Sequence, residues 1–227
     1  MAKTVDHPSL SELTAYLFER VTSGHSDDRF MLGIAGPPGA GKSTAADALV
    51  REINDLAKSN GLGTIAVVAP MDGFHRFNAE LVALNLRELK GVPDSFDSEL
   101  FVSHLTRLRE LPGERTGWPT FDRAIEEPTI DGTFIEPGHQ IVIVEGNYLL
   151  LDKTPWDKVR HILDQIWYID CDVSTIEPRL IERHMQGGKT KEGAKAKVDS
   201  TDLPNARLID ASKVNACRII QFPKLTV

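Results

Sequence analysis

The chain has 227 residues, 41% of them hydrophobic and 26% charged, which suits a globular protein with enough chain for one substantial core. The expectation is therefore a single domain over residues 1–227. A formal net charge of −7 runs against a nucleic-acid partner, which normally meets a basic excess, although local basic groups can still hold a small anion.

No apolar run approaches the ~20 residues needed to span a bilayer. The N-terminus also lacks a basic stretch followed by an apolar core. The expected location is cytoplasmic, with no membrane partner. Cys171 and Cys217 form no C-x-x-C pattern and are expected to be buried thiols.

In chain order, Ser9 and Glu12 are spaced as a capping box and predict a helix with Leu10, Leu13, Leu17 and Val21 on one side. The run from Phe30 to Ala35 reads as a buried strand. Gly36, Pro37, Pro38, Gly39, Ala40, Gly41, Lys42 and Ser43, followed by Thr44, match G-x-x-x-x-G-K-[ST] at every fixed position. A helix is expected from Ser43 to Lys58, and a second buried strand from Thr64 to Ala69 leads into Asp72, Gly73, Phe74 and His75.

Helical spacing follows over 78–89 and again from Asp97, with Leu100, Phe101, Leu105 and Leu108 on one side. Residues 111–128 read as a long ordered loop. The most hydrophobic strand, from Ile141 to Gly146, carries Glu145 near its end and is followed by Asn147. A short helix over 155–163, a strand over 165–170 and a helix over 174–185 come next. A glycine- and lysine-rich mobile stretch over 187–197, a helix over 203–215 and a last strand over 218–222 complete the pattern. Strands alternating with helices give an α/β fold with a parallel β-sheet flanked by helices.

A strand, a glycine loop and a helix are what polyphosphate binding requires. Successive N–H groups and the helix N-terminus face the anion. Lys42 can reach the β- and γ-phosphates, and the Ser43 hydroxyl can ligate Mg²⁺. The cofactor set expected is ATP with Mg²⁺.

Glu145 can help hold Mg²⁺, or can be a strand-end carboxylate facing solvent. Asp72 can orient an acceptor hydroxyl and accept its proton, or can close a local turn. Arg179 and Arg183, four apart on one helical face, can stabilise charge on a transferring phosphoryl group, or can pair with Glu177 and Glu182.

Phe74, His75, Asp122 and Arg123 are the acceptor-side candidates. Arg123 can bind an anionic acceptor or pair with Glu126 or Glu127. His75 can reach the acceptor or serve only as a hydrogen-bonding group. Trp118, Trp156 and Trp167 are expected in the core.

These segments, in order, resemble the kinase branch of P-loop proteins that includes uridine kinase, phosphoribulokinase and type I pantothenate kinase. The resemblance rests on the phosphate loop, on Asp72-Gly73-Phe74-His75 with Asn78, on Lys90 to Asp97, and on Val144 to Leu150. It spans roughly residues 30–220 and lies nearest the short pantothenate kinase-like branch.

It implies ATP-dependent phosphoryl transfer to a small-molecule alcohol such as a sugar, nucleoside or pantothenate-like compound. Asp72 would be the base, Asn147 a substrate contact and Arg179 and Arg183 the lid arginines. The acceptor-side insertion would cover about 74–128 and the lid about 179–200.

The departures fall on the acceptor side, where the tyrosine-serine-histidine pattern before Pro119 and an aromatic-rich C-terminal region are absent. The alternative is a nucleotide-sensing regulatory ATPase, although N-K-x-D, D-x-x-G and L-S-G-G-Q are all missing from the chain. Apolar faces on the N-terminal helix and over 78–111 suit a homodimer as well as a core.

Overall fold

The computed structural model describes residues 5–23 and 29–221. The main sheet has six strands, all parallel. In chain order these are β1 (Val5–Asp6), β2 (Phe30–Ala35), β3 (Ala66–Pro70), β6 (Ile141–Gly146), β7 (Gln165–Ile169) and β8 (Arg218–Ile220). A separate antiparallel pair is formed by β4 (Thr116–Asp122) and β5 (Glu127–Ile135). The order across the main sheet is β1-β8-β7-β2-β6-β3. Strands β2 and β6 are buried at every position, as expected of parallel strands covered on both faces.

Helices α1 (Leu10–Thr22) and α2 (Lys42–Ser59) cover one face, with Leu13, Leu17, Leu49 and Ile53 packed on Leu32, Ile34, Ile141 and Ile143. The Ser9–Glu12 capping box opens α1 as its sequence requires. The opposite face buries Val142, Val144, Tyr168 and Met31 under an aromatic cluster of Phe74, Phe96, Phe101, Trp118, Tyr148 and Trp156. Part of that cover comes from α4 (Ser98–Glu110), and Phe74, Phe101 and Trp118 meet edge to face, as ring quadrupoles favour. The three tryptophans are all in the core.

Four expectations need correction. The helix read over 78–89 is only α3 (Asn78–Ala83). It stops because Asn85 turns left-handed at φ 57° and Leu86 N–H caps back onto the Leu81 carbonyl.

The loop read over 111–128 is largely the β4–β5 hairpin. Its alternation is masked by Pro119 and by an irregularity in register between Trp118 and Thr120.

The stretch read as mobile over 187–197 contains α7 (Lys191–Lys197), capped by the Thr190 hydroxyl, which accepts from Gly193 N–H. This helix runs through a wider π turn, Val198–Asp202, into α8 (Leu203–Ser212). Ala194 and Val198, two small apolar contacts in a polar sequence, are both fully buried.

The expected pair of buried thiols is also corrected, since Cys217 is exposed and Cys171 half-buried. Phe222, at the end of the last expected strand, lies outside the described residues.

Candidate active site

All six parallel strands share a direction, so their carboxyl ends form one edge, where open α/β sheets bind ligands. The loop after β2 holds Gly36 to Gly41 and opens α2. Gly39 and Gly41 sit at φ 79° and 92°, a conformation that L side chains rarely adopt.

A cleft of about 1120 Å³ lies along this edge. It is lined by Pro38, Gly39, Ala40, Gly41, Lys42, Ser43 and Thr44 from the loop. Asp72, His75, Arg123, Glu145, Asn147, Arg179 and Arg183 line it from elsewhere in the chain.

Lys42 is 8% exposed, and its ammonium donates to the Pro37 carbonyl at 3.1 Å. Burial pushes its pKa down to about 8, against the opposing pull of Glu145 and Asp72. Glu145 is 6% exposed rather than facing solvent, and accepts from the Ser43 hydroxyl at 3.2 Å. Burial first, then the Asp72 charge, raises Glu145 to about 7.

Strand β6 lies between β2 and β3. Asp72 therefore reaches the phosphate loop across the end of β6, not from an adjacent strand. This places Glu145 between the two.

The turn at Asp72 depends on Gly73. A Cβ there would come within 2.0 Å of the Pro119 carbonyl oxygen, so only glycine lets the hairpin pack on the turn. Burial alone would raise the Asp72 pKa, but His75, Arg123, Lys42 and Arg183 together hold the carboxyl below its usual range. Arg123, next to the hairpin turn, meets the Asp72 carboxylate at 3.2 Å instead of Glu126 or Glu127. The His75 ring shares a 2.8 Å hydrogen bond with the Asp72 carbonyl and lies against Phe96 and Phe121. Burial holds His75 below its ordinary pKa, against the pull of the Asp72 carboxylate.

On α6 (Val173–Gln186), Arg179 donates to the Gly39 carbonyl at 3.0 Å. Arg183 keeps area open to solvent, yet its charged end is crowded by protein. Burial and Arg123 lower its pKa, with Asp202 and Asp72 opposing. The alternative of pairing with Glu177 or Glu182 is not met among the described residues, where Glu177 meets Lys195 at 3.3 Å.

Two acceptor candidates fall away. Phe74 is 1% exposed and packs into the aromatic core, away from the cleft. Asp122 is exposed outside the cleft and accepts from Ala124 N–H at 2.8 Å, closing the hairpin turn.

Sequence reasoning also missed residues. Lys90, Phe96 and Phe121 line the cleft near His75, and His184, Lys197 and Asp202 line it from α6, α7 and the π turn. Lys90 and Phe96 sat in the resemblance segment and could have been found there. His184, Lys197 and Asp202 carry no local signal. His184 and Asp202 meet at 2.6 Å across the π turn, which only the folded chain brings about.

A phosphate loop at the carboxyl edge of a parallel sheet, with a carboxylate-bearing turn beside it, defines the class as P-loop kinases. Comparison with known proteins gives the same class. A Schizosaccharomyces pombe protein named "putative uridine kinase" is 32% identical over 99% of this chain and 97% of its own length. A Saccharomyces cerevisiae protein named as an ATP-dependent kinase is 26% identical, over 96% of this chain and 71% of its own. A solved structure from Silicibacter sp. TM1040, titled "putative fructose transport system kinase", superposes with a TM-score of 0.82 at 32% identity. That superposition covers 94% of this chain and 98% of the other. No protein-family model matches. The chain belongs to the uridine kinase-like P-loop kinases.

Proposed function

We propose that the protein transfers the γ-phosphoryl group of ATP to a hydroxyl of a small molecule. The observation that carries this reading is convergence. Asp72, Lys42, Glu145 and Arg183 arrive from separate elements on one cleft and perturb one another's charge.

In this reading the backbone of Gly36 to Thr44 cradles the polyphosphate, and Lys42 contacts its terminal phosphates. Arg183, with Arg179 behind it, faces the charge that develops on transfer. Asp72, held ionised by its cationic neighbours, orients the acceptor hydroxyl and accepts its proton. His75, Arg123 and Asn147 contact the acceptor. Residues 74–128 form the acceptor side and 179–200 the lid of one kinase domain. Catalysis of this kind is mostly positioning and electrostatics.

The Ser43 hydroxyl and the Glu145 carboxylate, 3.2 Å apart beside the loop, are the hard oxygen donors that Mg²⁺ prefers alongside phosphate oxygens and water. An ion held there would offset charge on the phosphates.

The names of relatives point to a nucleoside or a sugar as acceptor. The test is a coupled ADP-release assay with ATP and Mg²⁺ against nucleosides, sugars, polyols and pantothenate, with the Asp72→Asn variant alongside. Release that requires one acceptor and disappears in the variant supports the reading. Slow release indifferent to both replaces it with a nucleotide-sensing ATPase.

A further inference from the structure

Resting on that kinase reading, we propose that the acceptor is an anion. A carboxylate or phosphate group is held by Lys90 and Lys197 while its hydroxyl faces Asp72.

Two lysines on the cleft make no ion pair among the described residues, although Glu126 and Glu127 act on Lys90 from farther off. Lys90 donates to the Asn78 side-chain oxygen at 2.9 Å and to the Glu126 carbonyl. Lys197 donates to the Glu88 carbonyl at 2.8 Å and the Lys90 carbonyl at 3.3 Å. Every one of these partners is a neutral oxygen. Among the described residues, no carboxylate lies within ion-pair distance of either ammonium, although fourteen other pairs do form.

Both lysines line the cleft and are half-buried, so each keeps a partly desolvated cation on its wall. A buried charge without a partner is costly, and an incoming anion would relieve that cost.

The carboxylates nearby are mostly committed elsewhere. Asp72 meets Arg123, Asp202 meets His184, and Glu126 meets Arg87 at 3.6 Å. The side chain of Glu88 remains on the rim, and with Asp202 and Glu126 it only moderates the burial-driven lowering of Lys197.

The His75 ring is within electrostatic reach of both the Asp72 carboxylate and the Lys90 ammonium. From His75 to the Phe121 ring is 4.8 Å, and from that ring to the Lys90 ammonium a further 5.0 Å. These steps have the scale of a small hydroxylated molecule. They border it with two rings tilted 44° to each other, the Lys90 cation over the Phe121 ring and Asp72 hydrogen-bonded to His75. Lys197 bonds to the Lys90 carbonyl from α7, so the anion would also tie the lid segment to the acceptor side.

The test uses matched acceptors in the ADP-release assay: glucose, gluconate and glucose 6-phosphate; uridine and uridine monophosphate; pantothenol and pantothenate. The expected result is turnover with a charged member and at least tenfold lower kcat/KM with its neutral counterpart. Lys90→Gln and Lys197→Gln should each raise KM for that anion about tenfold with kcat little changed. Lys90→Arg and Lys197→Arg should recover most of the loss, which a mere folding defect would not allow. Comparing the gluconate and glucose 6-phosphate arms separates a carboxylate from a phosphate.

Equal or faster turnover of a neutral acceptor, insensitive to both glutamine variants, overturns the inference and leaves the kinase intact. ADP release that responds to no acceptor overturns the kinase reading and this inference with it.

Discussion

At the scale of single residues, the site is built from charges that the fold holds at a cost. Surrounding cations hold the Asp72 carboxyl below its usual range, so replacing it with the isosteric Asn should remove the proposed proton acceptor without disturbing the phosphate loop. General-base removal typically costs ~10²–10⁴-fold. The expected outcome for Asp72→Asn is a kcat reduced by that order with ATP affinity unchanged, measured by steady-state kinetics and by calorimetric titration of nucleotide.

Glu145 yields a prediction with a definite sign. Its folded pKa near 7 exceeds its ordinary 4.5, so the folded state holds the extra proton between those values. A penalty therefore grows as pH rises through that window and is complete above 7. Glu145→Gln should match the wild-type melting temperature near pH 4.5 and exceed it by a few degrees at pH 8, without nucleotide. The gain is bounded at about 3 kcal/mol and is smaller in practice, because Lys42 loses a partner. Equal melting curves at pH 8 would show that Glu145 carries no such penalty.

At the scale of elements, the β4–β5 hairpin and the segment from α6 to α8 wall the cleft at the sheet edge. Gly73 admits the Pro119 backbone, and this contact sets the β4–β5 hairpin so that Arg123 reaches Asp72. Gly73→Ala must move one of the two backbones. Acceptor KM should rise by more than tenfold and the melting temperature should fall, while nucleotide affinity stays near wild type.

The His184–Asp202 contact spans from α6 to the π turn, with side chains only 15% and 10% exposed. His184→Ala leaves a buried carboxylate unpartnered, a loss of about 1–3 kcal/mol. Limited proteolysis should then cut within residues 187–202 faster than in wild type, with the sheet core still protected.

At the scale of the whole molecule, stability and chemistry sit at opposite ends of the strands. Arg29, 5% exposed just before β2, donates to the carbonyls of Leu108, Pro112, Glu136 and His139. It fastens the ends of α4 and β5 beneath the sheet edge remote from the phosphate loop. Arg29→Met strands these oxygens and should cost about 3 kcal/mol. At about 2–4 °C per kcal/mol for a chain of this size, the melting temperature should fall by roughly 6–12 °C. Below the transition, kcat and KM should stay at wild-type values.

Much of this protein was legible in its sequence because the strongest signals are local. The fixed positions of the phosphate loop, the unbroken apolar runs of β2, β3 and β6, and the Ser9–Glu12 box each act over a few neighbouring residues. They need no distant partner to be recognised.

Tertiary structure alone decided what depends on contacts far apart in the chain. It placed β6 between β2 and β3, setting Glu145 between the loop and Asp72. It turned Phe74 into the core and gave Arg123 to Asp72 rather than to its sequence neighbours. It ordered a polar, lysine-rich stretch as α7 through two buried contacts. It also brought Lys90 and Lys197, 107 residues apart, to one side of the cleft. Such pairings follow from sheet order and packing, which no short window of sequence contains.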